Sequence, residues 1–138
     1  MIVMIVDGQG GRLGASLAEK IKKACPEAEV LAIGTNSAAT AAMLRAGSDE
    51  GSTGENPVRI ASQRADVITG PVGIIMADAL LGEVTPKMAE YITSARAKKV
   101  LIPMNKCNTL IAGINGETVS DLTEDAVKKI CRLAAEEK

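Results

Sequence analysis

The chain opens with an unbroken apolar run, Ile2-Val3-Met4-Ile5-Val6, rich in β-branched side chains. That is the pattern of a strand buried on both faces of a parallel sheet. The run stops at Asp7-Gly8, after which Leu13, Leu17, Ile21 and Ala24 recur at helical spacing as far as Pro26. Val30-Leu31-Ala32-Ile33 predicts a second buried strand ending at Gly34-Thr35-Asn36, and Ser37 caps a helix over 38–46 that Gly47 closes. The polar stretch 48–56 (SDEGSTGEN) has no periodicity of its own. Strand–helix alternation nevertheless places a very short third strand near 48–50, before Asn56-Pro57 opens a helix through Arg64. Val67-Ile68 lies in the next strand, which ends at Gly70-Pro71-Val72-Gly73. Residues 74–81 are apolar nearly all round and predict a helix buried in the core or against another subunit. Thr85-Pro86 starts a helix to about Ala97, Val100-Leu101-Ile102 is a strand, 109–114 a last strand, and 121–135 the closing helix with Thr123 as its cap.

Buried strands alternating with helices predict an α/β class, a three-layer α/β/α Rossmann-like domain with a mostly parallel sheet. The link 103–108 is too short for a crossover helix, so the final strand is expected antiparallel, at an edge. No internal repeat or linker interrupts the pattern, and residues 1–138 read as one domain.

Composition narrows the function classes. Sixteen basic residues against seventeen acidic ones give a net charge of −1, so a nucleic-acid or acidic-membrane partner has no electrostatic footprint. His, Trp and Phe are absent and Tyr91 is the single aromatic residue. This excludes Ser–His–Asp or Cys–His catalysis, a His-containing metal site and an aromatic base-stacking platform within the chain. Cys25, Cys107 and Cys131 are an odd, widely spaced set, as expected of reduced thiols in a cytoplasmic protein. The apolar start is too short for a signal peptide or membrane span.

The strongest chemical signal is Asp7-Gly8-Gln9-Gly10-Gly11-Arg12-Leu13-Gly14, between the first strand and the first helix. Glycines let such a turn bend tightly, and they let a diphosphate approach free N–H groups and the positive end of the helix dipole. The strict G-x-G-x-x-G spacing fails at Leu13, whereas Gly8-x-x-Gly11-x-x-Gly14 resembles the turn of extended short-chain dehydrogenases. That resemblance stops at the turn. The Tyr-x-x-x-Lys dyad of that family is missing, because Ala95 stands four residues after Tyr91, and Tyr91 reads as a packed helix residue. No carboxylate ends the second strand to hold an adenine ribose, which disfavours NAD. Arg12 and Asn36 suit a ribose 2′-phosphate, so NADP is the favoured dinucleotide.

Loops leaving the carboxyl ends of the strands share one crevice in an open α/β sheet. Here they are rich in Gly, Ser, Thr and Asn, which offer uncharged hydrogen bonds to a sugar or phosphate. They nominate Gly8, Gln9, Gly10, Gly11, Arg12, Leu13, Gly14, Thr35, Asn36, Thr53, Gly70, Pro71, Val72, Gly73 and Asn105 as ligand-binding residues. Cys107, beside Lys106, is a candidate thiol of lowered pKa, though an isolated cysteine without His more often is a small buried thiol. Glu55 and Asp78 are candidates for acid–base work, whereas Asp49, Glu50 and Glu83 read as ordinary surface charges.

DGQGG near the start, GTN after the second strand, STGEN, GPVGI, LGEVTPKM and PMNKC occur in that order along the whole chain. Together they resemble a domain-of-unknown-function family of short bacterial proteins. The resemblance implies a Rossmann-like fold and a cytoplasmic protein, and it implies no activity. The expectation is a nucleotide- or phosphate-binding protein with the phosphate on the 8–14 turn. The alternative is a non-catalytic, oligomeric sensing or scaffolding module. In either case the apolar 74–81 segment predicts a homo-oligomer.

Overall fold

A computed structural model of the chain describes residues 1–105 and 108–136. Five strands, β1 (Ile2–Asp7), β2 (Glu29–Gly34), β3 (Glu50–Thr53), β4 (Val67–Pro71) and β5 (Lys98–Ile102), form one sheet in the order β3-β2-β1-β4-β5. Every pairing is parallel, with Val3 opposite Val30 on one side and Val67 on the other. The helices are α1 (Arg12–Ala24), α2 (Ser37–Arg45), α3 (Glu55–Arg64), α4 (Pro86–Ser94) and α5 (Val119–Glu136).

The continuous apolar runs are explained by burial on both sheet faces. Alternate residues Val3 and Ile5, with Val30 and Ala32, pack under Leu17, Met43 and Ile130 of α1, α2 and α5. Met4 and Val6, with Leu31 and Ile33, face Val58, Met88 and Ile92 of α3 and α4 on the opposite side. The result is the expected α/β/α sandwich. Strand order reverses between β1 and β4, the place where ligands enter folds of this kind.

Caps define the helix starts. The Asn36 side chain accepts from Ala39 N–H, and Thr85 from Met88 N–H with Pro86 in the first turn. At α5, Asp121 N–H donates to Thr118 Oγ1 at 3.0 Å while Thr118 N–H donates to Asp121 Oδ2 at 3.2 Å. This reciprocal cap replaces the expected one at Thr123, whose buried hydroxyl donates instead to the Val119 carbonyl at 2.7 Å within the helix.

Two expected elements are absent. Residues 74–81 do not form a helix: a single 3₁₀ turn, Val72–Ile75, gives way to an irregular loop with positive φ at Asp78, Leu80 and Leu81. Ile74, Ala79 and Val84 anchor this segment separately in the core, leaving Leu81 96% exposed. Asp78 N–H closes on the Val84 carbonyl at 2.7 Å and Val84 N–H on the Ala79 carbonyl at 3.1 Å, bonds a helix would not make. Nor do residues 109–114 form the antiparallel edge strand. Asn108 and Gly113 both take positive φ, Leu110 is 86% exposed, and Ile111 N–H goes to Asn105 Oδ1 at 3.0 Å rather than to a ladder. The edge at that side is therefore β5.

Candidate functional site at the carboxyl end of β1

The glycine turn follows β1 directly, and its N–H groups have different fates. Gly8 N–H donates to Asp7 Oδ1 at 2.8 Å and Gly14 N–H to Asp7 Oδ2 at 2.7 Å, so the buried Asp7 carboxylate bridges the two ends of the turn from beneath. Burial pushes the Asp7 carboxyl above its ordinary range, against the pull of those two bonds, and the nearby Glu83 charge adds to the rise. Gly11, the α1 N-cap, has φ of 73° and donates its N–H to the Gly8 carbonyl at 2.9 Å. Gly11 has no side chain to cap α1, and the N–H groups of Gly10, Arg12 and Leu13 have no partner among the described residues. These are the unpaired donors that a helix start presents to an anion.

The turn lines a cleft of about 290 Å³ together with Asp7, Pro71, Leu80 and Met104. Asp7 ends β1 and Pro71 ends β4, so the cleft sits at the reversal point of the sheet. Beside it, Glu83 reaches in from the irregular loop. Its Oε1 accepts from Gln9 N–H at 2.9 Å, from Thr35 Oγ1 at 2.7 Å and from Asn36 Nδ2 at 2.7 Å. The Asn36 amide is held in this orientation because its Oδ1 caps α2. The Gln9 N–H bond, then those from Thr35 and Asn36, hold the Glu83 carboxyl below its ordinary range despite some desolvation.

Of the residues nominated from sequence, Gly8 to Leu13 and Pro71 line the cleft, and Thr35 and Asn36 stand next to it. Gly14 and Gly70 are close-approach positions. A Cβ on Gly14 would lie 2.5 Å from Met43 Sδ, and one on Gly70 would lie 2.2 Å from the Val6 carbonyl oxygen. Val72 and Gly73 form the 3₁₀ turn below the cleft, Thr53 pairs with Thr40 through their hydroxyls at 2.7 Å, and Asn105 holds Ile111; none of these four lines the cleft. Glu55 accepts from Thr85 Oγ1 at 2.7 Å, and Asp78 lies in the loop, both outside the cleft lining. Tyr91 packs at the edge of the second core, and Cys107 lies outside the described residues. Two residues not nominated supply carboxylates here: Asp7, which lines the cleft, and Glu83, which stands beside it. Asp49 is more than a surface charge too: it accepts from Val30 N–H at 2.8 Å and from Lys22.

Other hollows lie away from the glycine turn: one of about 270 Å³ against β3 and α3, lined by Leu31, Ser52, Asn56, Ile60 and Arg64 among others, one of about 460 Å³ beside Arg59, Tyr91 and Arg96, and one of about 540 Å³ along residues 76–81. Among the described residues no group of three or more His, Cys, Asp or Glu side chains is placed to hold a metal, and no helix is long and apolar enough to cross a membrane.

The family model described as domain of unknown function DUF3842 matches residues 2–135. The chain belongs to the DUF3842 family. No curated protein matches it significantly in sequence. Among solved structures, this DUF3842 protein is similar to a dodecameric FMN-dependent UbiX-like decarboxylase from Escherichia coli O157:H7, with a TM-score of 0.57 at 17% identity, over 98% of this chain and 94% of that one. It is also matched by AibC, with a TM-score of 0.49 at 18% identity, over 99% of this chain and 46% of the other. The first likeness places the fold among Rossmann-like α/β proteins.

Proposed function

We propose that this protein binds a phosphate-bearing, nucleotide-like cofactor in the cleft at the end of β1, with a mononucleotide such as FMN foremost. The observation that carries the reading is the convergence of donors at the sheet's reversal point. Gly10, Arg12 and Leu13 offer N–H groups with no partner among the described residues, and alongside them Thr35 and Asn36 turn side-chain donors onto the Glu83 carboxylate. A cleft of about 290 Å³ is near the lower limit for small-molecule sites and suits a phosphate with its attached sugar chain. The FMN dependence of the UbiX-like decarboxylase of similar fold supports FMN as the first ligand to try. Arg12 in the cleft lining keeps NADP as the second, over NAD. We further propose a homo-oligomer, supported by Leu81 and Leu110 standing 96% and 86% exposed and by the dodecameric assembly of that same relative. Sedimentation as a monomer at micromolar concentration refutes that part.

The cofactor reading is tested by titrating FMN and riboflavin against the protein and following flavin fluorescence. FMN should bind more tightly than riboflavin, which lacks the phosphate. Gly10→Val should weaken FMN by about ten-fold or more, equivalent to about 1.4 kcal/mol, while leaving the melting temperature near that of the unaltered protein. Equal affinity for FMN and riboflavin, or FMN binding unaffected by Gly10→Val, removes the turn from the site. Absence of binding to FMN and NADP alike favours the non-catalytic oligomeric module.

A further inference from the structure

Glu83 is held in an unusual way for a carboxylate on an irregular loop. One of its oxygens takes three hydrogen bonds, from a main-chain N–H, a hydroxyl and an amide, all at 2.7–2.9 Å. Those three donors come from two different strand ends, Gln9 after β1 and Thr35 and Asn36 after β2, and no cation pairs with Glu83 among the described residues. Three neutral donors converging on one anionic oxygen is the environment that phosphoryl oxygens receive in nucleotide sites. The loop that delivers Glu83 is built differently from the rest of the chain. Asp78, Leu80 and Leu81 have positive φ, and Leu81 projects into solvent. Backbone held in such conformations concentrates at clamps and switch segments. Behind it the attachment is firm: Val84 is buried and Thr85 caps α4. The carboxylate can therefore withdraw, by rotation or by movement of residues 80–83, without unseating α4.

We infer that Glu83 is an internal substitute for the ligand's phosphoryl group, an autoinhibitory contact that closes the site until an anionic ligand displaces it. The inference rests on the reading of the cleft as a phosphate site and adds its regulation. A phosphate dianion and the Glu83 carboxylate cannot share the same donors, because like charges at that range repel and neither would keep its hydrogen bonds. Ligand affinity is thus reduced by the fraction of molecules in which Glu83 is docked.

The test compares the unaltered protein with Glu83→Ala and Glu83→Gln, using inorganic phosphate and FMN as separate probes. Millimolar phosphate, at ionic strength matched with chloride, should raise the melting temperature of Glu83→Ala by several degrees and that of the unaltered protein much less. FMN should bind Glu83→Ala about ten-fold or more tightly than the unaltered protein, with Glu83→Gln between them. In the unaltered protein, FMN should speed amide hydrogen exchange across residues 76–84 while slowing it at 8–13. This last readout holds even if Glu83→Ala folds poorly. Phosphate stabilisation of Glu83→Ala without FMN binding by either protein would overturn the nucleotide reading and leave the autoinhibitory contact standing. FMN binding that is unchanged or weakened in both Glu83 variants, or slower exchange at 76–84 on binding, would overturn the contact and leave the cofactor reading intact. No phosphate response and no FMN binding in any variant would overturn both.

Discussion

Gly11 and Gly10 are neighbours in the same turn, yet the structure predicts opposite responses to the same substitution. Gly11 has φ of 73°, and a Cβ there would lie 2.7 Å from Ala39 Cα and 2.9 Å from the Ala39 carbonyl oxygen. The left-handed conformation costs an L-residue about 1–2 kcal/mol. Overpacking against the α2 backbone, which cannot rotate away as a side chain would, adds about 1–3 kcal/mol. Gly11→Ala should therefore destabilise the fold by about 2–5 kcal/mol. An unfolding entropy of about 2.1 cal/mol/K per residue gives about 0.29 kcal/mol/K for this chain length, so each kcal/mol moves the melting temperature by about 3.4 °C. The expected drop is about 7–17 °C. Gly10 has no positive φ and nothing within 4 Å of its Cβ position, so Gly10→Ala should leave the melting temperature within about 2 °C of the unaltered protein. Scanning calorimetry of the two single variants is the assay. A Gly11→Ala protein melting within about 2 °C of the unaltered one would refute the argument that α1 and α2 meet at this glycine. The contrast also decides how the ligand site is probed. Gly11→Val confounds binding with folding, whereas Gly10→Val does not.

Asp7 should give stability a pH slope of distinctive sign. Its carboxyl is raised in the folded state, so its favourable contribution is complete below the unfolded pKa near 3.8 and declines as pH rises through the folded value. The stability difference between the unaltered protein and Asp7→Asn, measured by urea unfolding, should shrink from pH 4 upward; a difference that grows would contradict the burial argument. Thr69 is fully buried and its hydroxyl has no hydrogen-bond partner among the described residues, so Thr69→Val should stabilise the fold by about 1–2 kcal/mol, and a loss of stability would show that the hydroxyl is satisfied. Cys25 at the end of α1 and Cys131 on α5 hold their sulfurs 2.7 Å apart, and burial with the neighbouring thiol pushes Cys25 up to about 12. The raised pKa keeps Cys25 a thiol and slows its reaction at neutral pH, so it is the proximity of the two sulfurs that makes the pair competent to join. Hydrogen peroxide should oxidise it to a disulfide slowly at neutral pH and faster at alkaline pH, releasing water and lowering the intact mass by two hydrogens, a change that Cys25→Ser prevents; persistence of both free thiols at alkaline pH would refute the pairing.

Strands and helices that bury aliphatics periodically were legible in the sequence because burial itself imposes the period. The run at β1 and the Leu13, Leu17, Ile21 spacing of α1 are read directly from the two-sided core they build. Residues 74–81 misled for a related reason. Apolar content all round is compatible with a buried helix, but also with a loop that inserts Ile74, Ala79 and Val84 one at a time and leaves Leu81 in solvent. Composition cannot separate these, since the deciding interactions are the backbone closures between Asp78, Ala79 and Val84. The missing edge strand at 109–114 has a similar origin. Its β-branched and apolar residues suit a strand, but the chain turns at Asn108 and Gly113, and Asn105 takes a backbone donor that pairing would have needed.

The site was half legible, and the missing half is what changes its chemistry. A glycine turn between a buried strand and a helix announces open N–H groups whatever the rest of the chain does. The sequence does not announce that carboxylates already occupy several donors at and beside that turn. Asp7 was visible as the residue ending β1, but its role depends on reaching both Gly8 and Gly14, which follows only from the curl of the turn. Glu83 lies 74 residues from Gln9, just beyond the 74–81 segment whose apolar content suggested a helix and which forms a loop instead. With those two carboxylates present, the turn is no longer simply an electropositive cradle. On the proposed reading, the N–H groups of Gly10, Arg12 and Leu13, which have no partner among the described residues, would meet an entering phosphate first, while those at Gln9, Thr35 and Asn36 are held by Glu83 and would open only if it gave way. On that reading, affinity would be set by a competition between two anions, one of them tethered. Motif strength in the glycine turn alone would then be a poor measure of how tightly a phosphate-bearing ligand is held.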